Sequence, residues 1–212
     1  MSDISDYLET RLLDHVFRGD PFTSPTELFV ALYTAAPADS GGGTEVSGGS
    51  YARAQICTQQ AAANWNATTD QITVTGHGYR DNTGPVRLST SGTLPAGLSN
   101  ATDYFIRVVD ANTIQLSLTS GGAAVNFTDA GTGNHRIQHM TPAASPGGTT
   151  DNRGTVDWPN ATANWGTVTH LAILDAKTAG NFLWTRALTA SRTVNSGDRI
   201  QMPIGDLDAS LA

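Results

Sequence analysis

Cysteine is almost missing from this chain: Cys57 stands alone, which excludes an internal disulfide and suits folding in a reducing bacterial cytoplasm. Charge is scarce as well, at 15% of 212 residues, and the formal net charge is -7. No Lys/Arg cluster interrupts that acidic average, so the sequence offers no phosphate-binding face and no nucleic-acid partner is expected. No apolar run approaches the roughly 18 residues that span a bilayer. The N-terminus carries acids where a secretory leader would carry positive charge, so the expectation is a protein with no membrane partner that reaches its place by assembly. The glycine-rich stretch 39–50 lacks the Lys-Ser/Thr ending of a phosphate loop, and no cofactor is expected.

Glycine, by contrast, is plentiful at 22 residues. With much Thr, Ala, Asn and Ser, this favours β-sheet with many turns over helix. The length holds one large domain or two small ones.

Apolar periodicity predicts a helix over residues 2–18, with Ile4, Leu8, Leu12 and Val16 at spacing four and Leu13 and Phe17 on the same side. Asp6 with Glu9 suits a cap, Asp3 and Asp6 complement the dipole, and Arg18-Gly19 suits the close. Residues 27–33 read as a central strand, 39–50 as a mobile surface loop and 51–56 as the next strand.

Between residues 72 and 137 lie short β-branched and aromatic runs: Ile72-Thr73-Val74-Thr75, Pro85-Val86-Arg87-Leu88, residues 104–109, residues 113–118 and Ala124-Val125-Asn126-Phe127. Gly, Pro, Asn and Asp separate them, which is the pattern of half-buried strands joined by tight turns. Residues 61–69 lead into this module and 140–152, rich in Pro, Gly and Thr, lead out, so relative domain motion is expected. Beyond it, strands are expected at 154–159, 164–175 and 182–188. A last pair, 192–194 with 199–202, flanks the turn Asn195-Ser196-Gly197-Asp198.

The expected fold is therefore mainly β. Residues 1–63 and 141–212 form a discontinuous, β-sandwich-like outer domain with an N-terminal helix, interrupted by a small all-β module at 64–140.

Two resemblances overlie this reading. Val74-Thr75-Gly76-His77-Gly78-Tyr79, residues 92–98, Asp103-Tyr104-Phe105-Ile106 and residues 126–133 resemble a β-module that recurs in virion proteins of tailed bacteriophages. Tyr7-Leu8-Glu9, residues 12–18, residues 28–34, Gly48-Gly49-Ser50-Tyr51-Ala52-Arg53, residues 163–170 and residues 193–198 resemble small phage structural proteins, labelled as tail-fibre or minor virion proteins. Shorter members of that group join the region of Ile56 nearly directly to that of Thr155, which implies an insert standing away from the outer domain.

Catalytic patterns are weak. His135 and His139 have metal-ligand spacing only in a helix; in a strand they would lie roughly 13 Å apart. Both are expected to be solvated or turn residues, His77 a turn residue and His170 a packed one. Cys57 has no base or orienting acid around it, and Asp103, Asp110 and Asp129 fall in loops.

The expected role is a non-enzymatic virion component on the outer surface of the particle. The leading form is a capsid decoration, or cement, protein that binds the major capsid protein and copies of itself as a homotrimer, stabilising the shell by repeated weak contacts. The alternative is a tail-tip, collar or fibre-attachment protein that binds tail proteins, with an insert able to contact a host glycan. A secreted carbohydrate-active enzyme is the third reading. Partner contacts are expected on the helix at Tyr7 and Arg11 and in the glycine-rich loop at Glu45 and Val46.

Overall fold

The computed structural model describes residues 4–140 and 148–210. The expected helix start at Ser2, the dipole partner Asp3 and most of the 140–152 linker lie outside the described residues. Helix α1 (Asp6–Leu13) runs on as a wider π-helical turn, Asp14–Arg18. The strands β1 (Glu27–Ala35), β2 (Thr44–Glu45) and β3 (Ala54–Ala61) follow. Next come β4 (Trp65–Asn66), β5 (Gln71–Thr73), β6 (Thr83–Thr90), β7 (Tyr104–Asp110), β8 (Thr113–Ser117) and β9 (Asn134–Gln138). The chain closes with β10 (Thr150–Asp151), β11 (Val156–Asp157), β12 (Gly166–Leu174), β13 (Phe182–Val194), β14 (Gln201–Met202) and β15 (Asp208–Ala209).

The fold is mainly β. Eleven strands share one antiparallel sheet, ordered β13-β12-β1-β3-β9-β6-β7-β8-β5-β4 with β2 beside β1, while β10–β15 and β11–β14 make two short ladders. The alternation of strand side chains decides how this sheet is covered. Val30, Leu32 and Ile56 face a core closed by Val156, Trp158 and Met202, so that the β11–β14 ladder lies over one face. Ala31, Tyr33, Ala172 and Leu174 point to the other face, where Phe182 packs. A second core, with Trp65, Ile72, Leu88, Tyr104, Ile106 and Phe127, belongs wholly to residues 65–137.

Several local expectations differ. Strict alternation along β12 would separate Val168 from Leu171 and Ile173, yet all three share one core, because the ladder shifts register between Val168 and His170. Opposite that shift β13 takes up extra residues between Ala187 and Arg192, and a bulge of this kind turns a strand's face. The segments expected at 182–188 and 192–194 are thereby one strand, and β14 pairs with β11. Residues 124–127 form a single bridge, Ser117 to Ala124, and no named strand.

The insert is joined to the outer part along a ladder. β9 pairs with β3 on one side, Cys57 opposite Gln138, and with β6 on the other, Leu88 opposite Ile137. The chain thus enters and leaves residues 62–133 on neighbouring strands, and the Ala62 N–H donates to the Gly133 carbonyl at 2.9 Å. The expectation of free relative motion is not what the contacts describe. Arg80 donates to the Trp158 carbonyl at 3.0 Å, Arg87 and Arg153 grip Asp103 at 2.7 and 2.9 Å, and Lys177 donates to the Gly76 carbonyl at 2.5 Å. A Cβ at Gly154 would lie 2.5 Å from the Pro85 carbonyl oxygen, so glycine is what lets these two backbones meet.

Candidate functional site

The helix is set by its first residues. Ile4 bridges to Trp184 at the edge of β13, and the Ser5 N–H donates to the Leu183 carbonyl at 3.2 Å. Ser5, 1% exposed, then caps α1: its Oγ accepts from the Leu8 N–H at 3.2 Å and donates to the Phe182 carbonyl at 2.5 Å. The expected Asp6–Glu9 cap is therefore replaced by Ser5, whose side chain satisfies a first-turn amide. The Asp6 N–H donates to the Asp39 carbonyl at 3.2 Å, so the glycine-rich loop lies beside the helix start.

Tyr7 and Leu8 pack part-buried against the outer core, and the Arg11 guanidinium sits 5.9 Å from the Tyr7 ring centroid. Beyond them the helix leaves the body. No residue of α1 or of the following turn is buried, and Leu13, Val16 and Phe17 are 57, 68 and 79% exposed. This end keeps its shape through its own contacts: Arg18 Nε lies 3.3 Å from Asp14 Oδ1 and 3.5 Å from Asp20 Oδ2, and the Asp20 N–H donates to the Asp14 carbonyl at 3.2 Å. Gly19 closes it at φ 73°, a left-handed conformation that glycine adopts without strain.

Glu45 and Val46 point inward. Val46 is 4% exposed in the outer core, and Arg53 grips Glu45 through two contacts of 2.8 Å. The same guanidinium donates to the Ala176 and Ala179 carbonyls at 2.7 Å each, and the Tyr51 hydroxyl donates to Glu45 at 3.1 Å. Burial, then the Glu45 charge, pushes the Tyr33 hydroxyl up to about 12, and burial raises Tyr51 further. The segment expected to be a mobile loop thus carries β2, whose Glu45 is tied through Arg53 to the β12–β13 turn. The structure brings Tyr7 and Arg11 together on the helix, buries Val46 and leaves Glu45 half-buried in its pair with Arg53.

Three histidines, His77, His135 and His139, are buried. His135 and His139 are 0 and 1% exposed, where solvated or turn positions were expected: His135 packs edge-on against Trp65, and His139, just past the end of β9, stacks on Tyr79. His135 is satisfied by Thr90 Oγ1 at 2.8 Å and the Ala130 carbonyl at 2.9 Å. His77, Tyr79 and His139 stack in sequence, with centroids 5.5 and 5.8 Å apart. Neither ring nitrogen of His139 has a hydrogen-bond partner among the described residues. The three carboxylates expected in loops also have structural partners, and Asp110 is the last residue of β7. Arg87 and then Arg153 hold the Asp103 carboxyl below its usual range, Asp110 accepts from Asn112, and Asp129 accepts from Ala96 and Gly131. Among the described residues no group of three His, Cys, Asp or Glu could hold a metal, and no helix is long and apolar enough to cross a membrane.

A β-rich body whose polar groups are spent on joining strands, and whose outward feature is an apolar helix end, is the build of a structural assembly protein. The chain belongs to the family described as Podophage GP4 fiber I protein gp80, which it matches over residues 3–97 and 98–210. It is thus a phage virion fibre component, as the resemblance of the outer domain implied. The capsid-decoration expectation is corrected by this match: the family is one of fibre proteins, which supports the tail and fibre alternative and gives none to a cement role. No curated protein matches the chain.

Proposed function

We propose that the chain is a non-catalytic, stiff segment of the podophage fibre assembly. The outer domain, residues 1–63 and 141–212, anchors it to neighbouring tail or fibre proteins, and the inserted body, residues 64–140, is carried outward as a fixed extension. The observation that carries this reading is the ladder β1-β3-β9-β6, in which one hydrogen-bonded sheet crosses from the first core to the second. Each ladder hydrogen bond adds about 1 kcal/mol net, and bending at the seam would have to break several together with the Arg153–Asp103 ion pair.

Tyr7 and Arg11 belong to the anchoring face, whereas Glu45 and Val46 support it from below by fixing the loop beside Asp6. Of the insert's aromatic side chains, Trp65, Tyr79, Tyr104 and Phe127 are buried and Phe105 is half-buried. Gold-labelled antibody raised against residues 64–140 tests the reading on intact particles. Label on tails or fibres, in low copy, is the expected result; label spread over the capsid shell would overturn it.

A further inference from the structure

We infer that His77, Tyr79 and His139 form an acid-released strap: the neutral rings hold the turn 76–80 against the outer domain, and protonation of the two imidazoles frees that turn and lets the insert tilt on its ladder. Tyr79 stacks on both histidines, at interplanar angles of 21° and 14°. His77 and Tyr79 belong to the insert's turn. The His139 backbone is fastened to the outer domain, its N–H donating to the Ile56 carbonyl at 2.9 Å and its carbonyl accepting from the Arg153 N–H at 2.5 Å. Two further ties meet the same turn: Lys177, the one lysine of the chain, reaches the Gly76 carbonyl, and Arg80 reaches the Trp158 carbonyl and Asn160 Oδ1.

Hydrogen bonding makes the strap conditional on neutral rings. The Tyr79 N–H donates to His77 Nδ1 at 2.9 Å, so this nitrogen carries no proton, and Nε2–H donates to the Asp110 carbonyl at 2.8 Å. A second proton on the ring would set two N–H donors against each other at Nδ1. Neither ring nitrogen of His139 has a partner among the described residues, so its charged form would be buried without an acceptor. The surrounding charges do not reverse this. Asp110 and Lys177 act on His77 with opposite signs, Cys57 and Glu27 act on Tyr79, and Arg80 and Arg153 adjoin the two ends, Arg153 paired with Asp103. Burial outweighs the Asp110 attraction at His77 and acts alone at His139, so both rings hold a proton less tightly in the closed form than in an open one. Between pH about 7.5 and about 4.5, His139 alone then shifts the balance toward the open turn on the order of 100-fold. The β3-β9-β6 ladder stays paired, so release gives tilt and not separation.

This inference rests on the stiff extension proposed above, and one experiment separates the two. Spin labels at Ser120→Cys in the insert and Ser191→Cys on β13, in the full-length chain, give the distance between the two bodies at pH about 7.5 and about 4.5, read beside far-ultraviolet circular dichroism. The expected distribution is narrow at the higher pH, widens about twofold or more at the lower one with the dichroism unchanged, and narrows again on neutralisation. With His77→Gln and His139→Phe together, which keep a donor and an acceptor at 77 and a ring at 139, it should stay narrow at both. Narrow wild-type distances at both pH values overturn the strap and leave the stiff extension standing. A broad distribution already at pH about 7.5 overturns the stiff extension and the strap with it. Acid widening that survives in the double variant, or that comes only with loss of the dichroism, also overturns the inference. If the double variant does not fold, His139→Phe alone takes its place, and widening at an unchanged pH overturns the strap.

Discussion

His139 is the residue on which the seam is most exposed to pH. Burial pushes its imidazole down to about 4 from an ordinary 6.5, so the folded ring stays neutral while the unfolded ring takes up a proton. The unfolded state therefore binds more protons between about 6.5 and about 4, and stability falls as pH drops through that window, by about 3 kcal/mol in full. Burial lowers His77 as well, with the same sign. The thermal midpoint should accordingly fall between pH about 7 and about 4.5, and His139→Phe, which keeps a ring against Tyr79, should flatten that fall. A slope unchanged by the variant would remove His139 from the account. None of this was legible in the sequence. His135 and His139 sit in a polar stretch beside glycines, and the rings that cover them, Trp65 and Tyr79, lie about 60 to 70 positions earlier in the chain.

At the scale of the element, the short strands of the insert and the central strand β1 were legible because β-branched and aromatic runs between turn residues bury one face or both. The helix was legible as an apolar stripe, though not its consequence. A stripe in sequence implies a core to pack on, yet only Ile4, Tyr7 and Leu8 reach one, and the stripe's second half faces outward. The loop 39–50 misled in the opposite direction: its glycines suggested mobility, while a single buried apolar residue, Val46, and the Glu45–Arg53 pair hold it down. Ser5 carries the prediction that belongs here. Ser5→Ala removes a cap and takes the hydroxyl from the part-buried Phe182 carbonyl, which should cost about 1 to 2 kcal/mol. Denaturant unfolding reads the loss, and hydrogen exchange at the Leu8 amide should quicken in step; an unaltered exchange rate would show that the helix start is held by something other than this cap.

For the whole molecule, two cores and one sheet divide the work. The division at residues 64 and 140 remains a proposal, and it follows from the way the chain passes into and out of the second core on adjacent strands. Replacing 62–133 with a short turn should leave a soluble outer body that unfolds cooperatively, since the Ala62 to Gly133 hydrogen bond already brings those ends together. Failure of that shortened chain to unfold in one transition would mean the outer core depends on the insert. The continuity of the sheet was hidden from sequence, because ladder partners leave no local trace, whereas the Pro- and Gly-rich linker suggested a hinge.

Stiffness across the seam is measured most directly as a distance distribution between spin labels on the two bodies, at Ser120→Cys in the insert and Ser191→Cys on β13, both exposed positions. The natural Cys57 is 2% exposed and should stay unlabelled. A single narrow distance is the result expected of one sheet running through both cores; a broad or multiple distribution would contradict it.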